Sequence, residues 1–289
     1  MLAIAKRNLL LYFKNKSNIF FSLLGSLIVF GLFVIFIRQN LIDGFKGLEN
    51  RKQIADMWML GALIPVTAIT TSFSMISQMI SDKLADKFLD FSLTDRSDQQ
   101  IVLGYYFSAT LLALCMQIFV FALCMIYFHF EEGKSLTIKQ ISVMLLFILV
   151  TAFLAAAINL LIGGFLNSQI ALSSVSGIIS AMAGFVMGGY VPIGEVSKAV
   201  RQTIQFFPLT YSAAGMREVL FAGLLDKLPA SSQKYLLKYF GIKVDLGSQL
   251  TNVQLDFLIL LGSLAVLCLI LLLLSKRLMR ASLSGKKGE

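Results

Sequence analysis

The sequence predicts an all-α membrane protein with six transmembrane helices, and three observations carry that expectation. Hydrophobic residues make up 57% of the chain. Charged residues make up 14%, against roughly 25% in ordinary soluble domains. The charges are also gathered into patches. None falls between Lys16 and Arg38, Asp56 and Asp82, Asp98 and Glu131, Lys139 and Glu195, or Asp256 and Lys276. A helix needs about 20 apolar residues to cross a bilayer core. The Lys139–Glu195 interval has room for two crossings, which gives six in all. Helices are favoured over a barrel because each satisfies its own backbone, and runs this long show no two-residue alternation.

Residues 1–17 precede the first span. Ile4, Leu11 and Tyr12 recur at helical spacing, Leu9 and Leu10 broaden the stripe, and Lys6, Arg7, Lys14 and Lys16 supply positive charge without any acid. Such a segment suits a helix lying in the headgroup plane, with its lysines toward anionic lipid. Asn15-Lys16-Ser17-Asn18 reads as a break and cap before the span. Spans are then expected at about 18–37, 57–80, 101–128, 140–166, 170–190 and 254–275. The first apolar run is too long for a signal-peptide core and ends in Phe36-Ile37-Arg38, so it reads as a retained span. Cys115, Cys124 and Cys268 all fall inside spans without a CxxC pair, and read as core thiols.

Span two is rich in hydroxyls, among them Thr67, Thr70, Thr71 and Ser74, and Pro65 is a candidate kink. These hydroxyls either bond back to helix carbonyls or, with Asn159 of span four, face a substrate path. His129, beside Glu131 and Glu132, reads as an interface residue rather than a metal ligand. Span five carries Ser176, Ser180, Gly184 and Gly188 four apart, with Ser173, Gly177 and Ala181 on a neighbouring ridge. Small residues at that spacing let helices approach closely in lipid, either within one chain or between two copies.

Two segments between spans are distinctive. Ser81 to Gln100 holds five of the sixteen acidic residues. Leu84, Phe88 and Phe91 form an i, i+4, i+7 stripe, and Asp82, Asp86 and Asp90 form another. The pattern fits a short helix offered to a soluble partner, or a solvated loop that merely joins two spans. The segment 191–253 contains Phe206-Phe207-Pro208-Leu209-Thr210-Tyr211 and Met216-Arg217-Glu218-Val219-Leu220-Phe221, which read as a re-entrant pair of short helices broken at Pro208.

With both termini in the cytosol, the inner segments hold twelve basic residues against six in the two short outer loops. That bias supports this orientation and puts 81–100 inside. The net charge of +9 does not indicate nucleic acid, because no basic face is interleaved with aromatics. No GxxxxGK[ST], HExxH, GxSxG or DxDxDG pattern occurs. The six spans are read as containing no Asp, Glu, Lys or Arg, which argues against ion-coupled transport, a channel with a charged filter and an intramembrane acid–base enzyme. Any work done must therefore draw on energy from outside the spans, with 81–100 as its entry point.

These features together resemble the type-2 permeases of ATP-binding-cassette exporters over the whole chain. The local matches are Asp82-Lys83-Leu84-Ala85-Asp86-Lys87, followed by Ser92-Leu93-Thr94-Asp95-Arg96, and Pro208-Leu209-Thr210-Tyr211 with Arg217. Ala85 stands where the family carries glycine, and the family's proline is missing. The resemblance implies an N-terminal interfacial helix, a cytosolic coupling helix within 81–100 and a re-entrant outer helical pair. It implies a transport subunit in the cell's inner (plasma) membrane without its own enzyme activity or cofactor, with ATP and Mg held by a separate ABC ATPase subunit. Asp82, Leu84, Asp86, Phe88 and Phe91 would meet that ATPase. Gly25, Ser176, Ser180, Gly184 and Gly188 would form the seam with a second permease, copy or paralogue. Cargo would pass near Thr67, Thr70, Thr71, Ser74 and Asn159, and the scarcity of polar groups suits an amphiphile such as a drug, peptide or lipid-like compound. The alternative is a membrane sensor or immunity protein that binds such a ligand without moving it.

Overall fold

A computed structural model describes residues 2–45, 50–85, 87, 98–132, 136–225, 230–247 and 249–280. Among these the chain is helical without strands, apart from an isolated antiparallel bridge between Asp245 and Leu250. Helix α1 (Leu2–Lys14) leads to α2 (Lys16–Leu32), a π turn (Phe33–Ile37) and α3 (Arg38–Gly44). Then come α4 (Arg51–Leu84), α5 (Asp98–Glu132), α6 (Ile138–Gly163), α7 (Gln169–Val186), α8 (Lys198–Ile204), α9 (Pro208–Phe221), α10 (Ala230–Tyr239) and α11 (Val253–Arg280). Among the described residues, six helical segments are long and apolar enough to cross a membrane.

The break after α1 is set by Asn15. Its backbone is extended, and its side chain accepts hydrogen bonds from the N–H groups of Ser17 and Asn18 at 3.1 and 3.3 Å. That satisfies two amides at the start of α2 and prevents a continuous α1–α2 rod. Helix α1 then packs on α5. The face turned to the protein is Ala5, Asn8 and Tyr12, all buried, while Leu10, Leu11 and Phe13 are exposed. The expected stripe is therefore rotated: Leu11 points outward and Asn8 points in, because α5 covers that face of the helix.

Helix α4 is the centre of the bundle. In its most apolar stretch 94% of residues are buried, against 6% in α11. It packs against α2, α5, α6, α7 and α9. In lipid the hydrophobic effect does little to bring helices together, so close approach and hydrogen bonds decide the packing. Ala155, Ala156 and Ala157 of α6 are all completely buried. A Cβ on Gly163 of α6 would stand 2.6 Å from Ile76 Cγ2 of α4. Asn159 donates to Ile69 O at 2.8 Å and to Ser72 Oγ at 2.7 Å, pinning α6 to α4. Helix α4 continues through Pro65.

Several helix ends differ from the expected ends of the spans. Helix continues past Arg38, because Arg38 forms a two-pronged pair with the buried Asp56 at 2.7 and 2.8 Å. Span five ends early, at Val186, where Gly188 adopts a left-handed backbone with φ of 62°. The segment after it folds as α8, α9 and α10. Pro208 occupies the first turn of α9, where its missing N–H costs nothing. Phe240, just past α10, packs against Trp58 and Phe221 and ties this end into the core.

Arg217 of α9 is completely buried. Its guanidinium donates to Met187 O and Gly188 O, both at 2.8 Å, to Trp58 O at 3.1 Å and more weakly to Gly241 O at 3.5 Å. Two of those carbonyls lie just past the last residue of α7, at the negative end of its dipole. Asp256, in the first turn of α11, is also completely buried, and neither carboxylate oxygen finds a partner among the described residues. It falls within the expected span 254–275, so the expectation of spans without ionisable groups fails there. Of the cysteines only Cys124 is buried, whereas Cys115 is exposed and Cys268 half-buried.

Candidate functional site

Two sites share the end of the bundle where α1 lies. The first is built on Asp82, in the last turn of α4. Its carboxylate has no exposure. It accepts hydrogen bonds from Tyr105 of α5 at 2.7 Å, Arg7 of α1 at 2.9 Å, Gln78 one turn back at 2.9 Å and Lys87 at 3.0 Å. Two cations and two neutral donors thus compensate one buried charge, which is the condition for such a charge to be tolerated. Burial opposes the Arg7 cation, but Asp82 more than offsets this and holds its pKa above the ordinary arginine value. Arg7 and Asn8 extend the network, with Asn8 donating to Ser108 of α5 at 3.2 Å.

This corrects the expectation for Asp82. It does not stand on an outward acidic face but inside, because Arg7 and Tyr105 face it from neighbouring helices. Leu84, two residues on, is 40% exposed at the end of α4. Asp86, Phe88 and Phe91 lie outside the described residues.

The second site is a cleft of about 160 Å³ between α2, α4 and α7. Six hydroxyls line it: Ser22, Thr70, Ser74, Ser77, Ser176 and Ser180. Asn18 adds an amide, and Phe21, Phe73 and Ile179 supply apolar walls. Among the described residues, no charged side chain lines it. The α2 and α4 residues come from the halves of those helices nearest α1 and the α7 residues from about its middle, so the cleft opens on the side of the bundle that carries the Asp82 cluster.

The expected path residues divide here. Thr70 and Ser74 reach the cleft. Thr67, Thr71 and Asn159 do not, since they are completely buried between helices. Thr67 donates to Leu63 O and shares a 2.8 Å contact with Ser26, while Thr71 donates to Thr67 O. A hydroxyl on a helix can reach the carbonyl four residues back, and these two use it to remove their polarity from the packing.

A model of the ABC-2 type transporter family matches residues 1–221. The chain belongs to that family. Neither a curated protein nor a solved structure gives a significant match. As an ABC-2 transporter the chain is a multi-pass transport component of a membrane, and its family implies an ABC ATPase partner. The matched stretch ends with α9, so α10 and α11 lie beyond it.

In this ABC-2 chain, three of the five expected seam residues are occupied within the protomer. A Cβ on Gly25 would sit 2.8 Å from Thr70 Cγ2, and one on Gly184 would sit 2.4 Å from the Tyr190 ring. Gly188 turns the chain beside Arg217. Ser176 and Ser180 line the cleft instead. The neighbouring ridge of Ser173, Gly177 and Ala181 is exposed, so the open small-residue face of α7 is that ridge. Gly184→Ala should therefore destabilise the isolated protomer by about 1–3 kcal/mol through overpacking. Thermal unfolding in detergent checks this, and an unchanged midpoint would return Gly184 to a role between copies. Sequence reasoning missed Arg7, Gln78 and Tyr105 as partners of Asp82. The one available signal was a tyrosine and an arginine within reach of segments that had to be neighbours.

Proposed function

We propose that this ABC-2 chain is the permease subunit of an exporter in the plasma membrane. A separate ATPase binds ATP and Mg, docks at the α1 end from the cytosol and moves an amphiphilic cargo outward between two permease subunits. The observation that carries the reading is the uncharged, hydroxyl-lined cleft, which opens on the side of the bundle that carries the Asp82 cluster. Hydroxyls and one amide can bond a neutral polar head. The exposed apolar faces beside the cleft, with Phe21 and Phe20 of α2 and Ile178 and Met182 of α7, suit its tail. A charged head would find no counter-charge in the cleft and would leave water at a large cost.

The test is reconstitution with the cognate ATPase in vesicles, followed with a neutral fluorescent amphiphile and its quaternary ammonium analogue. ATP-driven accumulation of the neutral probe is expected, with the charged analogue moved more slowly. Binding without ATP-driven movement would instead favour the ligand sensor. Leu84→Asp should weaken capture of the ATPase by about 1–2 kcal/mol, roughly 5- to 30-fold, if its exposed side chain is a docking contact. Co-purification at graded ATPase concentrations measures this, and unchanged capture would remove Leu84 from the docking surface.

A further inference from the structure

We infer that Asp256 is a proton-binding site, and that the bound proton is what lets the first turn of α11 seat against α9. The inference goes beyond the proposed function and does not depend on the docking of an ATPase.

The packing defines the seat. Helix α11 is the least enclosed of the six spans and packs chiefly on α6 and α9. A Cβ on Gly215 of α9 would stand 2.4 Å from Phe147 Cζ of α6 and 3.4 Å from Asp256 Cβ. The backbone of α9 thus meets both helices directly, and Asp256 enters that junction with no exposure.

The charges there do not balance. Neither Asp256 oxygen has a hydrogen-bond partner among the described residues, and nor does the buried Oε2 of Glu218 on α9. The other Glu218 oxygen pairs with Lys243 at 3.1 Å. Glu218 and Lys243 are the charged groups that face Asp256, with the hydroxyls of Thr251 and Tyr211 also near it. Thr251 accepts from the Val244 N–H at 3.0 Å, and Tyr211 donates to Gln205 O at 3.0 Å. Arg217, the next charge on α9, is turned away to Met187 O and Trp58 O. Two acids against one lysine leave one positive charge wanting.

A proton supplies it best. An isolated ionised carboxylate in an apolar setting is so costly that it takes up a proton instead. The amino end of α11 favours a negative charge, but by far less than burial costs. A hard metal ion takes about six or more oxygens, and no three acidic, cysteine or histidine side chains converge among the described residues. Losing the proton would leave a second carboxylate beside Glu218. The first turn of α11 can relieve it only by leaving α9 for water.

The test uses the full chain in nanodiscs. At about pH 6, where an ordinary aspartic acid is ionised, the parent should show the infrared carbonyl stretch of a protonated carboxyl. Asp256→Asn, which keeps the shape of the neutral acid, should lack it. Glu218→Gln should move the disappearance of that band to lower pH and Lys243→Met to higher pH, each by about one pH unit. Hydrogen exchange of amides 253–260, corrected for its intrinsic rate, reads the seat. If opening releases one proton, exchange in the parent should rise about tenfold for each pH unit over about pH 5 to 7. In Asp256→Asn it should stay flat. No band difference between parent and Asp256→Asn, or the same exchange slope in both, would overturn the inference. Should Asp256→Asn fail to insert, the other two variants decide, since both keep Asp256. Band shifts in one common direction, or none, would then overturn it.

Discussion

Replacing Arg217 by methionine should produce a large loss of stability. Methionine fills much of the same volume but donates nothing. The carbonyls of Met187, Gly188 and Trp58 would each lose a donor at 3.1 Å or less, in a region with no water-facing surface at Arg217. A buried acceptor left unmatched costs about 1–3 kcal/mol. Removing the guanidinium also removes its own desolvation penalty, which offsets part of the sum. A net loss of about 3 kcal/mol is expected, which corresponds to a fall on the order of 10 °C in unfolding midpoint for a chain of this size. Lysine should rescue little, because a point charge cannot reproduce the planar fork that bonds several carbonyls. The effect should reach beyond α9, since Arg217 joins α9 to α4, to the end of α7 and to the turn at Gly241. Detergent-resistant folded fraction against temperature measures it, and a midpoint within about 2 °C of the parent would show that the carbonyls find other donors.

Arg38→Met should be at least as damaging, for a different reason. Asp56 is 1% exposed and receives both prongs of the Arg38 guanidinium. Removing the arginine leaves a buried carboxylate without its counter-ion, at a cost of about 3–5 kcal/mol. Replacing both residues, as Arg38→Met with Asp56→Leu, removes the charge along with its partner and should recover most of that loss. Protease resistance and thermal unfolding of the two single variants and the double variant give the cycle directly. If the double is no more stable than Arg38→Met, the pair matters for something other than charge balance.

These two clusters also show where sequence reading reaches and where it stops. The six crossings follow from charge-free runs, since a bilayer tolerates little else. The start of α9 follows from Pro208, and the cap of α2 from Asn15. The ends of the crossings do not follow, because Arg38, Asp56 and Asp82 each look like the edge of a span until a partner from another helix is found for them. Such pairing is a property of the folded bundle, and no window along the chain contains it. Asp82 illustrates this most sharply. Its spacing with Asp86 and Asp90 suggests an outward face, yet Arg7 and Tyr105 turn it inward. Arg217 is harder still, because its partners are backbone carbonyls, which every residue has. The hydroxyls of α4 divide for a local reason. Each can bond a carbonyl one turn back, so only the position of α2 and α7 decides that Thr70 and Ser74 meet the cleft while Thr67 and Thr71 do not. The glycine and serine ladder of α7 is legible as a close-packing signal, but that Gly184 meets Tyr190 depends on how the chain turns after the helix.

The central placement of α4 carries a genetic corollary. A helix packed against α1, α2, α3, α5, α6, α7 and α9 has no free side onto which a misfit can be displaced. Second-site revertants of damaging substitutions along it should therefore scatter over those helices, far apart in the gene but adjacent in the bundle. Revertants of substitutions in α11, which packs chiefly against α6 and α9, should fall almost entirely in those two helices.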